Sequence, residues 1–149
     1  MEKAMVLFVD DDEIMLRSLE RGLFDEPYDK RFAKSGAEAV GILQREDVHV
    51  IVTDMRMPGM DGLELLKTVK ETYPRIVSVV LSGFAPTADL MSPVHQVEVF
   101  RFVCKSLKLE EHLKPAIRQG INRYNLQSEH ADALVELGGV GVAKDLKND

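Results

Sequence analysis

The chain has 149 residues and a formal net charge of −6, enough length for one domain with a sizeable core. Both charge signs are mixed along it, and the acidic balance argues against direct nucleic-acid binding or anionic-membrane binding by this segment. The single cysteine, Cys104, allows no internal disulfide. Met1-Glu2-Lys3 opens no signal-peptide pattern, and no apolar run is long enough to span a bilayer, so a cytoplasmic protein is expected.

Residues 4–9 are apolar and β-branched enough for a first strand, which runs into Asp10-Asp11-Asp12-Glu13. Asp12 and Glu13 suit a helix N-terminus, where backbone N–H groups and the macrodipole favour anions. Asp10 and Asp11 suggest a bound cation. Apolar residues recur at near-helical spacing over 14–24, including Ile14 and Phe24, and Asp25-Glu26-Pro27 stops that helix. A weak strand over 28–33 and a helix over 37–45 follow. Residues 48–53 form a strand expected to be covered on both faces, and it stops at Asp54. Pro58-Gly59 and Asp61-Gly62 are turn chemistry before a helix over 62–72. A fourth strand, 76–81, ends at Ser82-Gly83. A helix over 85–96 follows by spacing, although Pro86 and Pro93 disturb it. A fifth strand, 100–104, ends at Lys105, and the last helix starts near Leu109. Strand and helix alternate five times, which implies an α/β fold with a parallel sheet and helices on both faces.

Polar groups therefore fall on four strand ends: Asp10 and Asp11, Asp54, Ser82, and Lys105. Ligands bind beyond the carboxyl ends of strands in such sheets. If the first and third strands are neighbours, three carboxylates meet. A hard divalent ion such as Mg²⁺ (or Mn²⁺) relieves their repulsion. A lysine and a hydroxyl facing that cluster suit a phosphoryl group, and an Asp carboxylate can itself be the nucleophile.

Over about residues 4–123 the sequence resembles the receiver domain of two-component response regulators. The resemblance rests on Val9-Asp10-Asp11, Asp54-Met55-Arg56-Met57-Pro58-Gly59-Met60-Asp61-Gly62, Leu81-Ser82-Gly83 and Phe102-Val103-Cys104-Lys105. It implies a flavodoxin-like, doubly wound five-stranded sheet of order 2-1-3-4-5. It also implies that Asp54 accepts phosphate from a sensor histidine kinase or phosphotransfer protein. Asp11, Asp54 and the Met55 carbonyl would bind Mg²⁺ directly, with Asp10 acting through water. Lys105 would contact the phosphoryl oxygens, and Ser82 and Phe102 would be the switch pair. Arg56 and Phe84, two positions beyond the acceptor and the switch hydroxyl, would tune the lifetime of the phosphorylated form.

Three positions depart from the family pattern. Ser106 stands where proline usually follows the lysine, so a trans peptide is expected, a non-proline cis bond costing roughly 3 kcal/mol. Pro93 and Pro115 lie inside expected helices. Residues 1–123 are expected to be the receiver domain, and 124–149 a helical extension with a flexible tail or a linker to an unseen output domain. Leu126, Leu134 and Leu137 have no place in the receiver core, so the extension is expected to meet a second copy or an output domain.

Two other readings remain open. Asp10-Asp11-Asp12 also resembles the Asp-x-Asp motif of haloacid-dehalogenase-type phosphatases, and a degenerate receiver could serve only for docking. His49, His95, His112 and His130 show no metal spacing. Cys104 reads as a small buried hydrophobe, and Met55, Met57 and Met60 as loop packing.

Overall fold

The computed structural model describes residues 3–83, 99–106 and 108–138, with side chains through 129. Its elements are β1 (Met5–Val9), α1 (Glu13–Gly22), β2 (Asp29–Ala33), α2 (Gly36–Arg45), β3 (Val50–Asp54), α3 (Gly62–Thr72), β4 (Val77–Ser82), β5 (Arg101–Cys104) and α4 (Leu109–Gly138). The helix expected over 85–96, with its prolines, lies outside the described residues.

The strands form one sheet of order β2-β1-β3-β4-β5, every pairing parallel. β1 pairs with β2 through Leu7–Arg31 and with β3 through Leu7–Ile51, so the winding direction reverses at β1. Alternation along the central strands feeds two cores. Leu7, Val9 and Ile51 pack with Ala39, Leu65 and Leu66 of α2 and α3. Val6, Phe8, Val50 and Val52 pack with Leu16 and Leu19 of α1 and with Leu113 and Ile117 of α4. Burial on both faces explains the unbroken apolar runs, because neither side of the pleat meets water.

The helix starts follow from side-chain caps. Asp12 accepts from Ile14 N–H at 2.9 Å, and Ser35 accepts from Glu38 N–H at 3.1 Å. Asp61 and Glu64 cap one another reciprocally at the start of α3. Each such cap is worth about 1 kcal/mol.

The described structure corrects several local expectations. α1 ends at Gly22, two residues early, so Leu23 turns inward and Phe24 outward, 83% exposed. Ile14, in the first turn, is 76% exposed rather than packed. Cys104 is exposed. It lies at the end of edge strand β5, where Val103 takes the core-facing position and its neighbour faces away. Met55 and Met57 are buried in the loop after β3, as loop packing requires. α4 accommodates Pro115, which is itself exposed, and continues unbroken to Gly138. No peptide bond among the described residues is cis, so Lys105–Ser106 is trans.

Candidate functional site

Asp10 and Asp11 follow β1, and Asp54 is the last residue of β3. Because β1 and β3 are neighbours in register, Val9 opposite Thr53, these carboxylates converge. One ligand oxygen from each of Asp10, Asp11 and Asp54 lies within 4.8 Å of the others, and among the described residues no other such acidic, histidine or cysteine group of three occurs. Asp10 is almost wholly buried, Asp54 half-buried and Asp11 exposed, so the cluster opens to solvent through Asp11. Asp10 Oδ1 accepts from Asp12 N–H at 2.9 Å, and Asp54 Oδ1 accepts from Met55 N–H at 3.0 Å.

Lys105 enters from β5. Its N–H donates to the Ser82 carbonyl at 2.7 Å, which anchors the strand end. Its ammonium then bridges the carboxylates, 2.9 Å from Asp10 Oδ2 and 3.2 Å from Asp54 Oδ1. Burial pushes the Asp10 carboxyl above its ordinary range, and the Asp12 N–H and Lys105 offset this only in part. Burial by itself would lower the Lys105 pKa, but its bond to Asp10 and the charges of Asp10 and Asp54 raise it. The lysine is therefore held as a cation.

The Asp54 backbone is gripped from two sides. The buried Thr53 hydroxyl donates to the Asp54 carbonyl at 2.9 Å, and Gly62 packs so closely that a β-carbon there would lie 2.1 Å from the same oxygen. Gly62 N–H donates to the Met55 carbonyl at 2.9 Å, closing the loop onto α3. Gly59, at φ +75°, takes the left-handed turn in between. Three hard carboxylate oxygens with an open side suit Mg²⁺, which uses few protein oxygens and keeps several waters.

A match to the family described as the response regulator receiver domain spans residues 6–118. The chain belongs to the receiver-domain family of response regulators. This receiver domain is 35% identical over 128 residues to the hydrogenase transcriptional regulatory protein HoxA of Cupriavidus necator, covering 86% of this chain and 26% of that protein. It is 33% identical over 119 residues to the transcriptional regulatory protein GlrR of Escherichia coli, covering 80% of this chain and again 26% of the relative. The chain thus spans about a quarter of the length of the curated relatives it matches. A solved structure titled adenylate cyclase, from Rhodopirellula baltica, superposes with a TM-score of 0.77 at 34% identity, covering 89% of this chain and 98% of that one.

The remaining expected residues of the receiver domain are placed as follows. Ser82 is buried at the end of β4, one strand from Asp54. Phe102 is half-buried against the core on the α2–α3 side. Arg56 is exposed, beside a shallow opening bordered by Met57, Pro58 and Asp61. Phe84 lies outside the described residues, as do His95 and the side chain of His130. His49 is structural: Nδ1 accepts from Met5 N–H at 3.2 Å, and the ring rests on Tyr124, centroids 4.4 Å apart. Thr53 and Gly62 carry positioning roles that the sequence reading did not single out. A hydroxyl inside an apolar strand next to the carboxylate, and a glycine opening a helix, were the available signals.

Proposed function

We propose that this receiver domain is the phospho-acceptor switch of a two-component phosphorelay. Asp54 takes a phosphoryl group from a sensor histidine kinase or a histidine phosphotransfer protein. The N–P bond of the phosphohistidine breaks, an Asp54 O–P bond forms, and the nitrogen keeps the bonding electron pair. The observation that carries this reading is the bridging ammonium of Lys105, 2.9 Å from Asp10 and 3.2 Å from Asp54.

Asp54 Oδ1 takes the bonds from Met55 N–H and Lys105, which leaves Oδ2 as the attacking oxygen. Lys105, held as a cation, pairs with the phosphoryl oxygens as charge builds on them. Asp11 and Asp54 would hold Mg²⁺ or Mn²⁺, with Asp10 acting through water, and the ion would supply neutralising charge at the phosphate. The Met55 carbonyl, already accepting from Gly62 N–H, would offer the ion its second lone pair, and water would supply the remaining oxygens. Asp10 is a poor nucleophile here, being 1% exposed, which disfavours a dehalogenase-type phosphatase.

In the same reading, Ser82 turns toward the phosphoryl group and Phe102 toward the space it leaves, shifting a two-state equilibrium at β5 and α4. Hydrogen exchange should change most there and in the segment before β5, not in α1. α4 beyond Tyr124, where Leu126 is 65% exposed, would contact a second copy or an output domain. Sedimentation with and without phosphate separates those two partners.

The deciding experiment is mass spectrometry after treatment with acetyl phosphate and Mg²⁺. One added phosphate is expected, lost in Asp54→Ala. A label that survives the substitution, or one that maps to Asp10, overturns the assignment.

A further inference from the structure

A second polar cavity lies far from the acidic cluster, at the opposite end of the sheet. It has a volume of about 450 Å³ and opens where β4, the residues leading into β5, and the middle of α4 meet. Ser78, Arg101, Arg123 and Gln127 give it polar walls, and Ile76 and Val99 an apolar one. Phe100 forms its platform. The Arg101 guanidinium lies 4.1 Å, and that of Arg123 5.4 Å, from the centroid of this one ring.

Two like charges are thus gathered over one aromatic ring. Arg101 donates to the Phe100 carbonyl at 2.9 Å and to Gln119 Oε1 at 3.1 Å, both neutral acceptors. Among the described residues, the ring is the one contact of Arg123. Among the described residues neither arginine meets a carboxylate, although the chain carries more acidic than basic residues. The lining residues described include no acid. Cation–π contact holds a guanidinium in place without neutralising it. Arg101 uses one N–H on Phe100 and one on Gln119 and keeps its other donors, as Arg123 keeps its own, for an anion. The volume falls within the range of small-ligand sites and is generous for a bare inorganic ion.

We infer that this cavity is a binding site for a small phosphate ester of nucleotide size, its phosphate held by Arg101 and Arg123. The Ser78 and Gln127 side chains would supply neutral hydrogen bonds, and Ile76 and Val99 would take the uncharged body of the ligand. Such a ligand bridges the sheet to α4 at the point where the helix leaves the receiver. This site is independent of phosphorylation at Asp54.

The test is NMR titration of the full chain with adenosine 5′-monophosphate and with inorganic pyrophosphate, in EDTA and at matched ionic strength. Adenosine serves as the uncharged control. Saturable shifts at Ser78, Val99–Arg101, Arg123 and Gln127 are expected with both anions. Arg123→Gln and Arg101→Gln should each weaken binding about tenfold or more, as lost charge-assisted hydrogen bonds do. Arg123→Lys, which keeps the charge and loses the fork, should fall in between. Each variant is checked for an unchanged fold by its remaining spectrum. The inference is overturned if neither anion shifts these residues at millimolar concentration, if adenosine binds as tightly as its monophosphate, or if the shifts fall only around Asp54. Glutamine variants that bind as well as the parent overturn it equally.

Discussion

Gly62 lies against the carbonyl oxygen of Asp54 so closely that a methyl group could not be inserted between them. The first residue of α3 thereby fixes the backbone of the proposed acceptor. Gly62→Ala should force the 54–55 backbone or the start of α3 to move, at a cost of about 2 kcal/mol, as overpacking does. It should also slow labelling by acetyl phosphate. Gly41→Ala in α2 is the control. A β-carbon there meets only the flexible Arg45 side chain at 3.6 Å, so stability should be unchanged or raised by about 0.5 kcal/mol. Urea unfolding of both variants, with labelling rates measured alongside, checks the pair.

Mg²⁺ should stabilise the folded chain by mass action, because the clustered carboxylates exist only in the folded state. The thermal midpoint is expected to rise by a few degrees at about ten times the dissociation constant. Asp11→Ala should abolish most of that rise while leaving the Lys105 bridge in place. Melting curves over a Mg²⁺ series, with Ca²⁺ as a size control, provide the measurement.

Glu26 and Arg118 form a two-bonded ion pair, at 2.9 and 2.6 Å, that fastens the turn before β2 to α4. Glu26 is buried and Arg118 largely exposed. Arg118→Ala should lower stability, because it leaves the Glu26 carboxylate buried without its charged partner. Beside them, the buried Tyr28 hydroxyl has no hydrogen-bond partner among the described residues. Burial, and secondarily the charge of Glu26, pushes its pKa up. A raised pKa means the fold favours the neutral phenol. Its contribution is fully present below the unfolded value near pH 10 and is lost as pH rises beyond it. Tyr28→Phe should therefore add about 1 kcal/mol at neutral pH and flatten the alkaline loss of stability. Denaturant titrations at pH 7 and above pH 10 test both signs.

The phosphorylated form is expected to decay slowly. Hydrolysis needs a water in line with the departing Asp54 oxygen, and Arg56 and Phe84 are bulky residues that would not orient one. Arg56→Asn with Phe84→Ala should speed the decay, followed by mass spectrometry after removal of the phosphodonor. Loss of phosphate within seconds in the parent, or slower loss in the double variant, rules the shielding out.

The placement of the candidate site was legible because each polar group closes an apolar, β-branched run: Asp10 after β1, Asp54 after β3, Ser82 in β4, Lys105 after β5. Alternating elements gave the parallel sheet. Strand order was not readable from periodicity and came with the receiver resemblance. What escaped depends on tertiary contact. Nothing local marks Thr53 as a donor to the neighbouring carbonyl, or Gly62 as a spacer against Asp54. Phe24 and Ile14 fit the helical period, yet an early helix end and a first-turn position leave them in water. Cys104 has an apolar neighbourhood in sequence but sits on an edge strand, where alternate side chains face outward.

The final helix has 30 residues and is therefore about 45 Å long, whereas β1 spans only about 17 Å. Its first half is clamped to the sheet through Leu113, Ile117 and Tyr124, and the rest projects by about 20 Å. That proportion makes α4 a mechanical arm with a short base. A tilt of about 10° at Tyr124 carries Gly138 through roughly 3–4 Å, while atoms beside the sheet move by well under 1 Å. Displacements too small to disturb the core around Leu113 thus arrive at the far end as movements the size of a side chain.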